Sequence, residues 1–212
     1  MNQNNWATRE FSNINLGDAR LNKRFKQVAN TLSLTPNDSI HSSCSNWSES
    51  KAAYRLFDNE KLEIEEVLQS HRKSSFERAR NFDTVLAIED TTVLNYHGHK
   101  NKKDLGYILN KKCNGGIGTK GLFVHNTLLC SPSGIPLGLF DQEIFRRTLK
   151  GRKSSWSKSV ADKESFKWLR PLETAKAFSP DNLKLVFVGD RESDKFQFMS
   201  YAVLLEQDFL VR

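Results

Sequence analysis

The sequence predicts an α/β protein in two parts: a small all-helical N-terminal region over residues 1–80, then a mixed sheet crossed by helices over 81–212. Up to residue 80 the apolar residues recur at helical spacing. From residue 84 short apolar runs bounded by turn residues take over, the pattern of buried strands. Two of those runs, Val85–Ile88 and Leu185–Val188, lead into aspartates, Asp90 directly after Glu89 and Asp190 after Gly189. The order strand, strand, strand, helix, strand, helix, strand is a hairpin pair followed by helical crossovers, which requires a mixed sheet.

Composition sets the class. With 38% hydrophobic and 27% charged residues in 212, the chain can bury a core and is not a disordered polymer. Lys and Arg exceed Asp and Glu by 32 to 25, a net charge of +7, which favours a polyanionic partner. No apolar run reaches bilayer length, and Met1–Trp6 lacks a basic-then-apolar leader, so a cytoplasmic protein with no membrane partner is expected. Cys44, Cys113 and Cys130 are odd in number and widely spaced, which suits reduced structural thiols.

The first strong helix spans 16–32, with Asp18 as N-cap. At 100° per residue Leu21, Phe25, Val28, Ala29 and Leu32 share one face, and Arg20, Lys23, Arg24, Gln27 and Thr31 the other. The second face has the polarity needed to lie on a phosphate backbone or in a major groove; an ordinary solvated face looks the same. A loop broken by Pro36 follows, then a short helix over 48–57 stopped by Asp58-Asn59. A third helix runs from about 63 to 80, with Ile64, Val67, Leu68 and Phe76 inward.

Thr84–Ile88 is the first strand, and 97–121 a glycine- and lysine-rich connection. Residues 122–130 and 135–145 make a hairpin about the turn Ser131-Pro-Ser-Gly134. Arg146–Lys158 holds six basic residues and no acid, and reads as an exposed loop. Asp162–Ser165 leads a helix over 166–177; Leu185–Val188 is the fourth strand. A helix follows over 194–206 with Phe196, Met199, Val203 and Leu204 inward, and Asp208 opens a fifth strand.

The first strand can lie beside the fourth and parallel to it. Neighbouring strands are about 4.8 Å apart, so Asp90 and Asp190 could share one divalent ion. Oxygen donors suit Mg²⁺ or Mn²⁺, which activate water or a 3′-hydroxyl and stabilise a leaving oxygen in phosphoryl transfer. Either aspartate taken singly could instead cap a strand end or the next helix.

These strings resemble the IS4 family of bacterial DDE transposases, the Tn5-type group in particular. Leu-Ala-Ile-Glu-Asp-Thr-Thr at 86–92 resembles its first catalytic aspartate motif, and Gly-Asp-Arg-Glu-Ser-Asp at 189–194 its second. Residues 121–129 look like the strand between them, 161–169 like the first crossover helix, and 16–20 and 50–55 like the N-terminal DNA-binding domain. The resemblance implies a helical domain for transposon-end inverted repeats over 1–80 and a partial ribonuclease-H-like catalytic domain over 81–212. It implies that Asp90 and Asp190 are catalytic and hold Mg²⁺ or Mn²⁺. It further implies that Arg20, Lys23 and Arg24 face double-stranded DNA, and that Arg212 lies close to DNA at the active site.

The family's third catalytic residue is a glutamate on a helix beyond the fifth strand, and residues up to Arg212 offer no substitute for that third carboxylate. Glu192 and Asp194 are too near Asp190 in sequence, and Glu164 belongs to the other crossover. The expectation is therefore an incomplete ribonuclease-H-like sheet in a truncated, catalytically inactive and marginally stable copy, with a possible dimer with a full-length transposase as partner. A non-catalytic DNA-binding remnant, able to inhibit such a transposase, is the alternative; a ribonuclease-H-like host nuclease fits the N-terminal motifs less well. His97-x-His99 with Cys113 is too irregular for a zinc site, and His125 reads as a core or supporting histidine rather than a base. Thr91 and Thr92 read as satisfying backbone groups at the strand end, with a role beside the metal as the alternative.

Overall fold

The computed structural model describes residues 5–99, 101–108, 119–147, 164–180 and 182–212. These form two compact units, residues 1–77 and 78–212. Cys113, Asp162, part of the lysine-rich connection 97–121 and most of the basic loop 146–158 lie outside the described residues.

The first unit is helical: α1 Trp6–Glu10, α2 Ala19–Leu34, α3 Ile40–Ser43, α4 Trp47–Phe57 and α5 Ile64–Ala79, whose last turn crosses the boundary. The α2 cap is the predicted one, with the Asp18 carboxylate accepting from the backbone N–H of Arg20 at 2.8 Å and Leu21 at 3.3 Å. Helix α4 starts with a reciprocal cap. Asn46 Oδ1 accepts from Glu49 N–H at 3.0 Å, and the Glu49 carboxylate accepts from Ser45 N–H at 2.8 Å. The core is Ile14, Leu16, Phe25, Val28, Ala53 and Leu56, with Leu21, Ala29 and Leu32 packed against it. Each large side chain contributes about 1.5–3 kcal/mol by leaving water. The apolar face read from α2 is the face that packs.

Ile64 is a correction: it is 64% exposed, while Leu68 and Phe76 are buried. As the first residue of α5 it lies where a helix has only begun, and periodicity cannot tell whether a first residue has neighbours above it.

The second unit is a mixed sheet of six strands among the described residues: β1 Thr84–Asn95, β2 Gly106–Tyr107, β3 Lys120–Cys130, β4 Pro136–Phe145, β5 Lys184–Gly189 and β6 Asp208–Val211. β1 is central, antiparallel to β3 and parallel to β5; β6 continues the parallel side, and β4 and the short β2 pair with the outer edge of β3. The β3–β4 register shifts at Thr127/Leu128 and again at Leu129/Cys130, two bulges that bend the hairpin.

Between β4 and β5 the chain makes a 3-10 turn, Glu164–Trp168, then α6, Arg170–Phe178; α7, Phe196–Leu204, links β5 to β6. The sequence predicts one helix over 166–177. Pro171 prevents that, since it has no N–H and its ring clashes with the preceding turn, so the α-helix proper begins beside it. Both crossovers share a face. The His125 ring meets Trp168 edge-on at 4.6 Å, and Phe198 of α7 meets Phe209 of β6 at 5.8 Å. His125 pairs with Thr91, while Phe209 pairs with Phe187 and Phe187 with Ala87, so all lie on the side of Ala87 and Thr91.

The predicted inward set of α7 is also corrected. Phe196 is 84% exposed and Val203 and Leu204 are exposed, whereas Phe198 and Ala202 are buried. Residues 196–204 are apolar at almost every position, so the pattern marks a helix without fixing its rotation.

Candidate functional site

The N-terminal candidate is the outer face of α2. Arg20, Lys23, Arg24 and Gln27 are exposed, and Phe25 and Val28 on the reverse side are buried. Arg24 and Gln27 also border a cleft of about 350 Å³ between α2 and α4, closed below by Val28 and Ala53. Three cations and an amide on one rigid helix can contact phosphates and base edges at once.

The second candidate is in the sheet. The strand carrying Asp90 does not end there, contrary to the sequence reading: β1 runs on to Asn95, held by β3. What ends is its pairing with β5, whose last register pair is Ile88 with Val188. Continued by two residues, that register sets Asp90 opposite Asp190, the first residue past β5. Asp90 is thus flanked on its other side by Asn126, whose amide oxygen accepts from Gln142 Nε2 at 2.8 Å.

Both aspartates are exposed. Asp190 Oδ1 accepts from Glu192 N–H at 2.8 Å, and its carbonyl accepts from Ser193 N–H and Oγ at 2.9 and 2.6 Å, which fixes the turn. Among the described residues no hydrogen bond or ion pair occupies the Asp90 carboxylate, and no group of three or more His, Cys, Asp or Glu side chains forms a metal cage. Two available hard oxygen donors are a chemistry that Mg²⁺ or Mn²⁺ accepts, with water filling the remaining positions. Arg212 joins this region through its backbone, which donates to the carbonyl of Gly189 at 3.3 Å; its side chain is exposed.

Glu89 parts company with Asp90. It points to the crossover side, is 3% exposed, and sits with His125 (2% exposed), Thr91, Lys167, Asp141 and Trp168. Burial, reinforced by the Asp141 carboxylate, pushes the Glu89 carboxyl well above the usual range. Burial, then the Lys167 and Arg170 cations, brings His125 down to about 4. Burial therefore disfavours charge on both members of the pair. Glu89 Oε2 lies 3.3 Å from His125 Nε2, and Thr91 Oγ1 lies 2.9 Å from Nδ1, both within hydrogen-bond reach. Lys167 Nζ donates to the same Thr91 oxygen at 2.8 Å, and Arg170 pairs with Asp141 at 3.1 Å. The sequence reading of His125 as a supporting histidine is the geometry found. It missed Glu89, Lys167 and Arg170, and the signal available was their nearness to Asp90 and to the string at 161–169.

His97 and His99 are exposed, with His99 against the Tyr96 ring at 5.9 Å. Glu164 forms an ion pair with Arg147, so its carboxylate is engaged elsewhere.

Residues 3–62 match a protein family described as transposase DNA-binding. The match takes in all of α1 to α4, including the basic face of α2, and supports a DNA-interacting role for that region. No helix among the described residues is long and apolar enough to cross a membrane.

Proposed function

We propose that the chain is a DDE-type transposase polypeptide of the Tn5-like IS4 group. In this reading residues 1–80 recognise inverted-repeat DNA at transposon ends, and 81–212 contribute a ribonuclease-H-like sheet bearing two of the metal-binding carboxylates. The observation that carries it is the family match over 3–62 in a chain whose β1–β5 register continues to Asp90 and Asp190. The strand order β4-β3-β1-β5-β6, antiparallel from β4 to β1 and parallel from β1 to β6, supports the ribonuclease-H-like assignment.

Arg20, Lys23 and Arg24 would contact the end DNA, phosphates for position and base edges for sequence. Arg212, beside Gly189, would meet the strand being cut. Asp90 and Asp190 would hold Mg²⁺ or Mn²⁺, which supplies Lewis-acid activation of the attacking hydroxyl and of the leaving oxygen. Asn126 and Gln142 would orient the substrate on the same sheet face.

The test is selection from a random double-stranded library at about 0.15 M salt, followed by incubation of the selected DNA with Mn²⁺. Enrichment of one motif, weakened at least tenfold by Arg20→Ala with Arg24→Ala, is the expected result, and Mn²⁺-dependent nicking lost in Asp90→Ala would overturn the inactivity expected from the sequence. Equal affinity for all sequences, with a salt slope unchanged by the double substitution, would sink the end-recognition reading. The confinement of the family match to 3–62 favours a second reading, end binding without cutting, for instance as an inhibitor pairing with a full-length transposase. Selective binding with no nicking under Mn²⁺ is its signature.

A further inference from the structure

We infer that His125 and Lys167 are positioning residues for the Asp90–Asp190 pair, fixing both carboxylate-bearing strand ends from the opposite face of the sheet. The inference rests on the metal-carboxylate reading above and assigns what holds that site in place.

The need for such support follows from the register. Beyond Ile88–Val188 the β1 backbone has lost β5, so at Asp90 it is bonded on the β3 side only. The residues on either side of Asp90 both turn to one imidazole: Glu89 Oε2 lies 3.3 Å from His125 Nε2, and Thr91 Oγ1 lies 2.9 Å from Nδ1. His125 is itself anchored in β3, opposite Thr91. A planar ring with two fixed nitrogens gripping residues i−1 and i+1 leaves residue i little freedom to pivot. The Asp90 side chain is thereby aimed from behind, without any group of its own being consumed.

Lys167 extends the grip to the second strand end. Its ammonium donates to Thr91 Oγ1 at 2.8 Å and lies 3.6 Å from Glu192 Oε2, two residues past Asp190. Trp168 follows the same course, edge-on to His125 at 4.6 Å and so close to Gly189 that a Cβ there would meet its Cζ3 at 3.3 Å. One short turn, Lys167-Trp168, therefore touches both strand ends. Lys167 is 6% exposed. Burying an ammonium is expensive, and an apolar side chain of like size would pack at least as well. What the charge adds is direction, because its donors fix a hydroxyl on β1 and approach a carboxylate beyond β5.

The experiment uses the full chain with Thr91→Val, Thr91→Ser, Lys167→Met and Asp90→Asn. Thr91→Val keeps shape and strand propensity and deletes the shared oxygen; Thr91→Ser restores it. Amide hydrogen exchange is read without metal, and Mn²⁺ affinity by paramagnetic resonance. Lys167→Met is expected to speed exchange about tenfold at both 89–92 and 190–193, with other strands unchanged. Thr91→Val is expected to weaken Mn²⁺ binding about tenfold or more, with Thr91→Ser near the parent. Parent-like exchange in both Thr91→Val and Lys167→Met overturns the inference, whatever the metal does. Mn²⁺ uptake that is indifferent to Asp90→Asn overturns the metal-carboxylate reading instead. In that case the exchange result alone decides whether these side chains position the strand ends.

Discussion

Glu89 and Asp90 are adjacent carboxylates with opposite fates, because a strand turns successive side chains to opposite faces. Asp90 meets solvent; Glu89 meets His125 in the sheet interior. The buried pair makes a prediction about pH. Glu89, raised from 4.5, contributes stability that is complete below 4.5 and lost as pH rises through its folded value. His125, lowered from 6.5 to about 4, contributes stability that is complete above 6.5 and lost as pH falls toward 4. Between 4.5 and 6.5 the two slopes oppose one another. Above 6.5 the His125 slope is spent, so the decline that belongs to the pair there, at most about 1.4 kcal/mol per pH unit, is that of Glu89 ionising. Glu89→Gln, which cannot ionise, should flatten that alkaline decline. Urea unfolding of metal-free protein at pH 6, 7.5 and 9 measures it, and parallel slopes for parent and variant would refute a raised Glu89 carboxyl as the cause.

At the scale of elements, the turn after β5 is where backbone and site are most tightly linked. A Cβ on Gly189 would overlap the buried Ser193 side chain, whose hydroxyl donates to the Asp190 carbonyl at 2.6 Å. Gly189→Ala should therefore cost about 1–3 kcal/mol, by overpacking, in urea unfolding. A loss below 0.5 kcal/mol would mean that the turn yields freely. Asn46→Ala, which removes the α4 cap, should cost about 1 kcal/mol without affecting the sheet unit. Sequence reasoning found these elements unevenly, for physical reasons. Helix α2 was legible down to its cap, because a single Asp precedes a clean amphipathic run. The neighbouring register positions of Asp90 and Asp190 were legible because both follow short apolar runs. The rotation of α7 was not legible, since Gln197 and Ser200 are too few polar residues to mark its outer face among exposed Phe196, Val203 and Leu204. Nor was the 3-10 turn at Lys167-Trp168, which depends on Pro171 being read as a start rather than an interruption. The buried cluster behind the aspartates was hidden because its members come from β1, β3, β4 and a turn far apart in sequence, and only the register brings them together.

For the whole molecule the distribution of apolar surface matters more than its amount. Both crossovers cover one face of the sheet. On the other, Leu128, Ile88, Val188 and Leu210 stand in register across four neighbouring strands, the first three half-buried and Leu210 62% exposed. β6, which carries Leu210, pairs only with β5 among the described strands, so an apolar row runs out to an edge with unpaired backbone groups. That combination is the usual template for strand-to-strand association. A net charge of +7 opposes self-association through long-range repulsion, but that repulsion is screened within about 8 Å at physiological salt. Aggregation should therefore rise with ionic strength and begin at this edge. Leu210→Lys places a charge on the edge strand at a position that already meets water, so it should change unfolding free energy by no more than about 0.5 kcal/mol. Light scattering at 0.3 M salt should nonetheless fall severalfold. Ile88→Lys, at the centre of the same row, should instead lower stability by several kcal/mol, because the ammonium would be held among half-buried apolar neighbours. If Leu210→Lys leaves the scattering unchanged, association starts elsewhere, and the exposed Phe196 and Leu204 of α7 become the next surface to substitute.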